Sequence, residues 1–160
     1  MRLTIAAIGR LKAGPETSLL ERYCELATGL GRGCCLGPLQ IQDFPEGRSA
    51  QLEQRRNDEA DRLLAATSQA SLRVLLDERG KQLTSPELAD YLARHRDDGA
   101  REVAFLIGGA DGHGAPARSA CQLSLSLSKL TLPHGLARIM LAEQLYRSIT
   151  IIAGHPYHRA

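Results

Sequence analysis

Two kinds of hydrophobic pattern alternate along this chain. Short runs of almost wholly apolar or β-branched residues occupy positions 3–8, 72–76 and 103–107. Continuous apolar runs of this length are typical of strands that are covered on both faces of a sheet. A weaker strand is predicted over residues 36–44, where Pro38 interrupts the pattern, because proline cannot donate a hydrogen bond to a sheet. The runs therefore predict strands of a buried sheet.

Amphipathic segments separate these runs and predict helices. Gly29 follows the first segment, as is common after a helix end. Ser49 is the predicted cap of the second, which is rich in charge. Ser85 and Pro86 predict the start of the third, as a cap and a first-turn proline. The three helices are predicted over residues 15–28, about 49–66 and about 85–96.

The C-terminal third carries a third pattern. A short alternating strand leads from Leu123 into the connection 128–133, and Pro133 is placed to help start a long helix over about residues 136–152. That helix is apolar around much of its girth, which predicts burial on more than one side. Strands and helices thus alternate, which predicts an α/β fold with a mostly parallel sheet and helices on both faces.

Length and composition favour a single domain over residues 1–160. The chain is 43% hydrophobic and 24% charged, which is ordinary for a soluble globular protein, and no apolar run approaches the ~20 residues of a membrane span. Residues 1–14 lack the features of a signal peptide, so we expect a cytoplasmic protein with no membrane partner. Four cysteines lack zinc-ligand spacing, which predicts reduced thiols and no metal: Cys24, Cys34, Cys35 and Cys121.

A glycine-rich turn follows the apolar run 103–107 and includes Gly109. Ligands of open α/β sheets bind beyond the carboxyl ends of strands, and glycines allow backbone N–H groups to approach them closely. The spacing is not that of a dinucleotide fingerprint or a phosphate loop. The connection 128–133 could present backbone to an adenine edge or a carboxylate. Each segment could equally be an ordinary turn.

The last residues are unusual for a terminus. Tyr157, His158 and Arg159 stand in a row, and such groups stack, move protons and hold phosphate. The alternative is a disordered tail. Glu143 and Arg147 have i,i+4 spacing, which indicates either a surface ion pair or a partly buried pair that positions the arginine. The net charge of +2 does not itself indicate a nucleic-acid partner.

Five motifs agree in order and spacing with one family. The chain resembles the ribosomal RNA large subunit methyltransferase H family, the minimal single-domain branch of the SPOUT methyltransferases. The resemblance covers the whole length and is most specific in the C-terminal half. The motifs are Leu76-Asp77 with Gly80, FLIGGADG at 105–112, LSLSKLTLPH at 125–134, LAEQLYR at 141–147 and HPYHR at 155–159.

This resemblance implies properties that the residues alone do not. It implies a deep trefoil knot in the C-terminal segment, although general topology rules argue against knots. It also implies an obligate homodimer that binds S-adenosyl-L-methionine in the knot, with the partner's C-terminus near the site. The implied reaction is methyl transfer to N3 of a pseudouridine in 23S rRNA, within assembled ribosomes.

The resemblance also implies which residues act. Carried over by position, the cofactor contacts are Leu76, Gly109 and the connection Ser128, Lys129, Leu130, Thr131, Leu132 and Pro133. The resemblance supports the positions of Tyr157, His158 and Arg159 more than their roles. By residue type we expect His158 to be the base, Arg159 an oxyanion or phosphate contact, and Tyr157 a stacking or hydrogen-bonding platform. His113 and Ser148 depart from the family pattern, which usually has an apolar residue and alanine there. A non-catalytic ribosome-binding factor is the main alternative, and the glycine spacing disfavours a nucleotide-binding oxidoreductase.

Overall fold

All strands of the protein join one sheet. The computed structural model describes residues 1–158. The sheet order is β2-β1-β4-β3-β5 and every neighbouring pair is parallel; Leu3, for example, pairs with Leu39 on one side and Val103 on the other. The predicted parallel sheet is thus confirmed. The strands are β1 (Arg2–Ile8), β2 (Leu39–Phe44), β3 (Leu72–Gln82), β4 (Glu102–Ile107) and β5 (Leu123–Ser126).

The helices lie on both faces of this sheet, as predicted. They are α1 (Pro15–Gly31), α2 (Leu52–Ala66), α3 (Ser85–Asp97), α4 (Ala115–Ala120) and α5 (His134–Ile152), with 3-10 turns at Arg32–Cys34 and Pro156–His158. Successive strand residues point to opposite faces. Accordingly, Phe105 packs in the core formed with α1, α3 and α5, whereas Leu106 packs in the core formed with α2 and α4. Both side chains are fully buried.

Helix α5 is buried around most of its circumference, which confirms the sequence-based prediction. Leu141, Ala142 and Leu145 have no exposed surface, and Ile139 is only 7% exposed. Met140, in contrast, is 43% exposed. The apolar girth of α5 therefore reflects contact with α1, α3 and the sheet together, and only part of it is left at the surface.

Strand β3 is longer than the sequence pattern predicts. The apolar run ends before Asp77, but the strand continues to Gln82 and returns to β5 after an irregularity, so that Leu125 is bridged by both Leu76 and Lys81. A Cβ atom on Gly80 would lie 2.7 Å from backbone atoms of Leu125, so only glycine lets the two segments touch there. Residues 77–82 are mostly polar, so the hydrophobic pattern does not predict this extension. The knot stays an implication of the resemblance.

Two helix caps differ from the predictions. The cap of α3 is Thr84, one residue before the predicted Ser85, and it forms a reciprocal capping box with Glu87. Helix α2 begins after Gln51, and Ser49 instead accepts a hydrogen bond from the backbone N–H of that residue at 3.3 Å. Serine and threonine are both favoured as helix caps. Where the two are adjacent, the path of the backbone decides which of them caps the helix. The short helix α4 was not predicted.

The predicted end of α1 at Gly29 is wrong, because the helix continues to Gly31. A Cβ atom on Gly29 would meet nothing within 4 Å, whereas one on Gly31 would overlap the carbonyl oxygen of Leu36. The glycine that is required is therefore Gly31, where the chain folds back closely against the helix end. Gly29 is a weak point inside a helix.

These two glycines give a matched test of helix packing. We expect Gly29→Ala to raise the free energy of unfolding by about 0.5–1 kcal/mol, because alanine loses less conformational entropy in a helix. Gly31→Ala should lower it by about 1–3 kcal/mol through overpacking against Leu36. Urea unfolding measures both. Equal effects of the two substitutions would contradict the assigned helix end.

Candidate active site

A cleft opens where strands β3, β4 and β5 end. Its volume is about 770 Å³, within the range of small-molecule sites. Three segments that are distant in sequence form most of its wall, and all three lie at carboxyl ends of strands, the usual ligand position in open α/β sheets. They are residues 76–79 in the second half of β3, residues 107–113 at and after the end of β4, and residues 125–132 apart from Lys129, at and after the end of β5.

Six of the eight predicted cofactor residues line this cleft: Leu76, Gly109, Ser128, Leu130, Thr131 and Leu132. Lys129 and Pro133 belong to the same connection but are not part of the wall. The connection is held in shape by its own serines. Ser126 Oγ donates to the carbonyl of Ser128 at 2.9 Å, and Ser128 Oγ accepts from the N–H of Leu130 at 2.9 Å. The segments that the sequence separates are thus brought together, while their binding role stays a prediction.

The glycine-rich turn is braced by helix α2. Arg55 Nε donates to the Asp111 carboxylate at 2.7 Å, and Arg56 Nε donates to the Asp111 carbonyl at 2.7 Å. A Cβ atom on Gly109 would lie 2.8 Å from the buried Glu59 carboxylate, and Glu59 does not line the cleft. Glycine at this position therefore makes room for Glu59. We expected this glycine to allow close approach of a ligand, and such a ligand would meet only the backbone of the turn.

A histidine and an ion pair lie beside the cleft floor. The ring of His113 is buried, and burial lowers its pKa, with the nearby Arg118 charge acting in the same direction. Burial raises the pKa of the Asp77 carboxyl, but hydrogen bonds from the Arg79 N–H and the Arg118 guanidinium outweigh it, so the net pKa is lowered. Arg118 pairs with Asp77, whose side chain is 6% exposed. At neutral pH the cleft therefore holds a neutral imidazole next to a charged pair.

Tyr157, one of the three predicted catalytic residues, lies apart from this cleft. Tyr157 packs on α5, with its ring centroid 4.7 Å from that of Tyr146 and 5.1 Å from the Arg147 guanidinium. Its hydroxyl donates to Glu143 Oε1 at 3.2 Å, and Arg147 Nε donates to the same oxygen at 2.9 Å. None of these residues lines the cleft. His158 is described only through its backbone turn, and Arg159 lies outside the described residues.

The Glu143–Arg147 pair is partly buried, with side chains 14% and 30% exposed. Of the two alternatives for this pair, the partly buried pair that positions Arg147 is therefore correct. The same pair also holds Tyr157. The pKa of the Tyr157 hydroxyl is raised by burial first, then by its hydrogen bond with Tyr23 and the Glu143 charge. At neutral pH this hydroxyl is a donor and not a base.

Three cleft residues were not predicted as site residues from sequence. Asp77, Arg56 and Arg118 all line the wall. Asp77 directly follows an apolar strand, and that position was a usable indication. The others come from helices whose direction the sequence did not reveal. Arg138, in contrast, is 1% exposed and donates to the carbonyls of Ile8 and Gly9 at 2.7 Å, so it anchors α5 to the sheet.

Among residues 1–158, no three His, Cys, Asp or Glu side chains come together in a way that could hold a metal ion. No helix in the described part of the chain has both the length and the apolar character needed to cross a membrane.

The ion pair beside the cleft gives a pH-dependent prediction. Because the pKa of folded Asp77 lies below its ordinary value of 3.8, its stabilising effect is present above that pH and is lost as pH falls through the lowered pKa. Arg118→Gln should raise the Asp77 pKa, so that this loss begins at higher pH. Carbon-13 resonances of the carboxyl group report the titration.

The matched control is Arg101→Gln. The Arg101 guanidinium is exposed and makes no hydrogen bond or ion pair within residues 1–158. This control should leave the Asp77 titration unchanged. An unchanged titration in Arg118→Gln as well would show that the ion pair does not set the pKa of Asp77.

Comparisons with known proteins agree with this geometry. A family model described as "Predicted SPOUT methyltransferase" matches residues 1–158. A crystal structure of a protein from Bacillus anthracis, assigned as an RNA methyltransferase, aligns with a TM-score of 0.55 and 13% identity, covering 98% of this chain and 99% of that one. At this identity the alignment shows a shared fold only.

Relatives at higher identity extend over the full length. Proteins named Ribosomal RNA large subunit methyltransferase H from Brucella anthropi and Mesorhizobium japonicum are each 46% identical over 160 residues, covering 100% of both chains. The chain therefore belongs to the SPOUT methyltransferases, within the ribosomal RNA large subunit methyltransferase H family. The resemblance seen in its motifs is confirmed.

Proposed function

We propose that this protein transfers a methyl group from S-adenosyl-L-methionine to N3 of a specific pseudouridine in 23S rRNA, acting on assembled ribosomes in the cytoplasm. The relatives at 46% identity carry a name that specifies ribosomal RNA of the large subunit. The observation that carries the proposal is the convergence of three distant segments, which hold six of the predicted cofactor residues, on one cleft.

The residues of the cleft fit this cofactor. The volume of about 770 Å³ accommodates a nucleoside with an amino-acid arm. Leu76, Ile107 and Leu132 offer apolar surface suited to a base, and the backbone of residues 128–132 offers donors and acceptors. The Asp77 and Glu78 carboxylates lie on the same wall and suit a ligand with positive charge. When bound, S-adenosyl-L-methionine supplies the methyl group as an electrophile.

The acceptor nitrogen sets what the protein's own groups must do. N3 of pseudouridine carries a proton. For N3 to attack the methyl group, this proton must be removed or the developing anion must be stabilised. We assign proton acceptance to His158 and the phosphate or oxyanion contact to Arg159. Tyr157, whose hydroxyl donates to Glu143 and whose ring lies against the Arg147 guanidinium, would stack on or hydrogen-bond the base.

A homodimer would bring these groups to the cofactor. Tyr157 does not line the cleft of its own chain, so a second copy is the natural source of a tail at each site. Large apolar side chains are exposed on α1 and α5, which pack against each other. Large apolar side chains exposed on adjoining helices are typical of an interface. The exposed residues are Leu19, Leu26, Leu136 and Met140.

Ile139 on α5 is not available to such an interface. Its side chain is buried in the core that also contains residues of β1 and α1. Met140, the next residue, is the exposed one. Substitutions that test association should therefore be made at Met140.

The dimer prediction uses two exposed residues on opposite faces of the sheet. Met140 on α5 and Leu52 on α2 are 43% and 42% exposed. We expect wild type to be dimeric at micromolar concentration and Met140→Glu to give monomer, because a charge would be buried at the interface. Leu52→Glu should leave the dimer intact. Light scattering measures the masses, and a wild-type mass near 17.4 kDa would refute the dimer.

Removal of the tail tests its catalytic role. A chain ending at Pro156 should keep the dimer and bind S-adenosyl-L-methionine within about threefold of wild type, since few core contacts are lost. Methyl transfer to ribosomes that lack the modification should fall at least about a hundredfold, about 2.7 kcal/mol of transition-state stabilisation. Calorimetry and methyl incorporation measure the two effects.

Two further outcomes sharpen that test. Transfer at the wild-type rate by the truncated chain would exclude the tail and direct attention to His134, which lines the cleft. A non-catalytic ribosome-binding factor is the second candidate. It would bind ribosomes yet leave 23S rRNA unchanged, and mass spectrometry of rRNA from a deletion strain would then show no missing methyl group.

A further inference from the structure

The His113 ring lies between the ends of two neighbouring strands. Its Nε2 atom is 3.1 Å from the backbone nitrogen of Gly108, after β4, and 3.0 Å from the carbonyl oxygen of Leu76 in β3. Both backbone positions line the cleft. His113 is only 7% exposed, so solvent is poorly placed to substitute for either contact.

One nitrogen atom cannot serve both contacts at once. A neutral imidazole has one donor and one acceptor nitrogen. When Nε2 is unprotonated, it accepts from the Gly108 N–H, and its lone pair faces the Leu76 carbonyl oxygen. When Nε2 carries the proton, it donates to Leu76, and the buried Gly108 N–H faces another N–H. Each tautomer therefore satisfies one strand end and opposes the other.

The charged groups around the ring act on its protonation in opposite directions. Asp77, from β3, favours the protonated ring, and Arg118, from α4, opposes it. Helix α2 contributes Arg56 to the same cleft wall, and β4 contributes the backbone of Leu106, which favours the protonated ring. Because Asp77 and Arg118 pair with each other, their opposed effects on the ring partly cancel.

We propose that His113 is a positioning residue: its ring tautomer determines whether an N–H donor of a ligand in the cleft must compete with Nε2 for the Leu76 carbonyl. A ligand donor at Leu76 would remove the need for the Nε2 proton. The ring would then carry its proton on Nδ1 and hold Gly108. Ligand binding and the arrangement of both strand ends are thus linked through one side chain.

The inference rests on the proposed function only in its choice of ligand. S-adenosyl-L-methionine carries an exocyclic amine and an ammonium group, either of which is an N–H donor. Protonation of the ring would keep a competing donor at the same carbonyl, so affinity should fall as pH falls through the lowered pKa of His113. Binding should in turn lower that pKa further.

Nitrogen-15 resonances of the ring test the proposal in the wild-type protein. We expect saturation with S-adenosyl-L-methionine to shift Nε2 of His113 fully to the unprotonated position. His95, whose ring meets that of Tyr91 edge to face in α3, is the internal control and should not move. A tautomer ratio of His113 that stays unchanged on saturation would overturn the inference.

Two variants separate positioning from mere filling of space. Glutamine offers an N–H donor and a carbonyl acceptor together, so His113→Gln can serve Leu76 and Gly108 at once. It should bind S-adenosyl-L-methionine within about threefold of wild type, without the loss of affinity at acid pH. His113→Leu offers neither group, and should bind at least about tenfold more weakly with a flat pH profile, about 1.4 kcal/mol.

The outcomes distinguish this inference from the proposed function. Tight binding with the same pH profile in wild type and His113→Leu would overturn the inference and leave the proposed function standing. Absence of binding in folded wild type, judged by calorimetry, would overturn both. Equal weakening in the glutamine and leucine variants would assign His113 a structural role only, which also contradicts the proposal.

Discussion

The pairing of β5 with β3 is the constraint on which the rest of the structure depends. In the chain β5 follows β4 and α4, yet in the sheet it lies beyond β3. This order brings the connection that follows β5 into the same cleft wall as β3 and the glycine-rich turn after β4. It is possible because Gly80 has no side chain, which lets β3 touch the backbone of Leu125. A larger residue at Gly80 would separate the strands and open one wall of the site.

Electrostatic contacts then hold the cleft in one shape. Arg55 and Arg56 fix the glycine-rich turn from α2 through Asp111, and Arg138 ties α5 to the carboxyl end of β1. These arginines serve the scaffold, although cations near a predicted RNA site would first suggest phosphate contacts. Among residues 1–158, His134 lines the cleft and takes no part in these scaffold contacts.

Local patterns in the sequence were sufficient for most of the fold. Continuous apolar runs identified β1 and β4 because both faces of those strands are buried. The same reasoning ended β3 too early, since its second half is polar and is held by backbone pairing alone. The cofactor wall could be predicted only through the family motifs. Glu59 behind Gly109 and the two contacts of His113 depend on distant segments, which no local pattern reveals.

The central claim is that the cleft at the ends of β3, β4 and β5 holds S-adenosyl-L-methionine. Diffraction from crystals grown with this molecule tests it most directly. The account predicts density in contact with three segments at once: the end of β3 at Leu76, the turn at Gly109 and the connection 128–132. Density bound elsewhere on the protein, with this cleft left to solvent, would contradict the account.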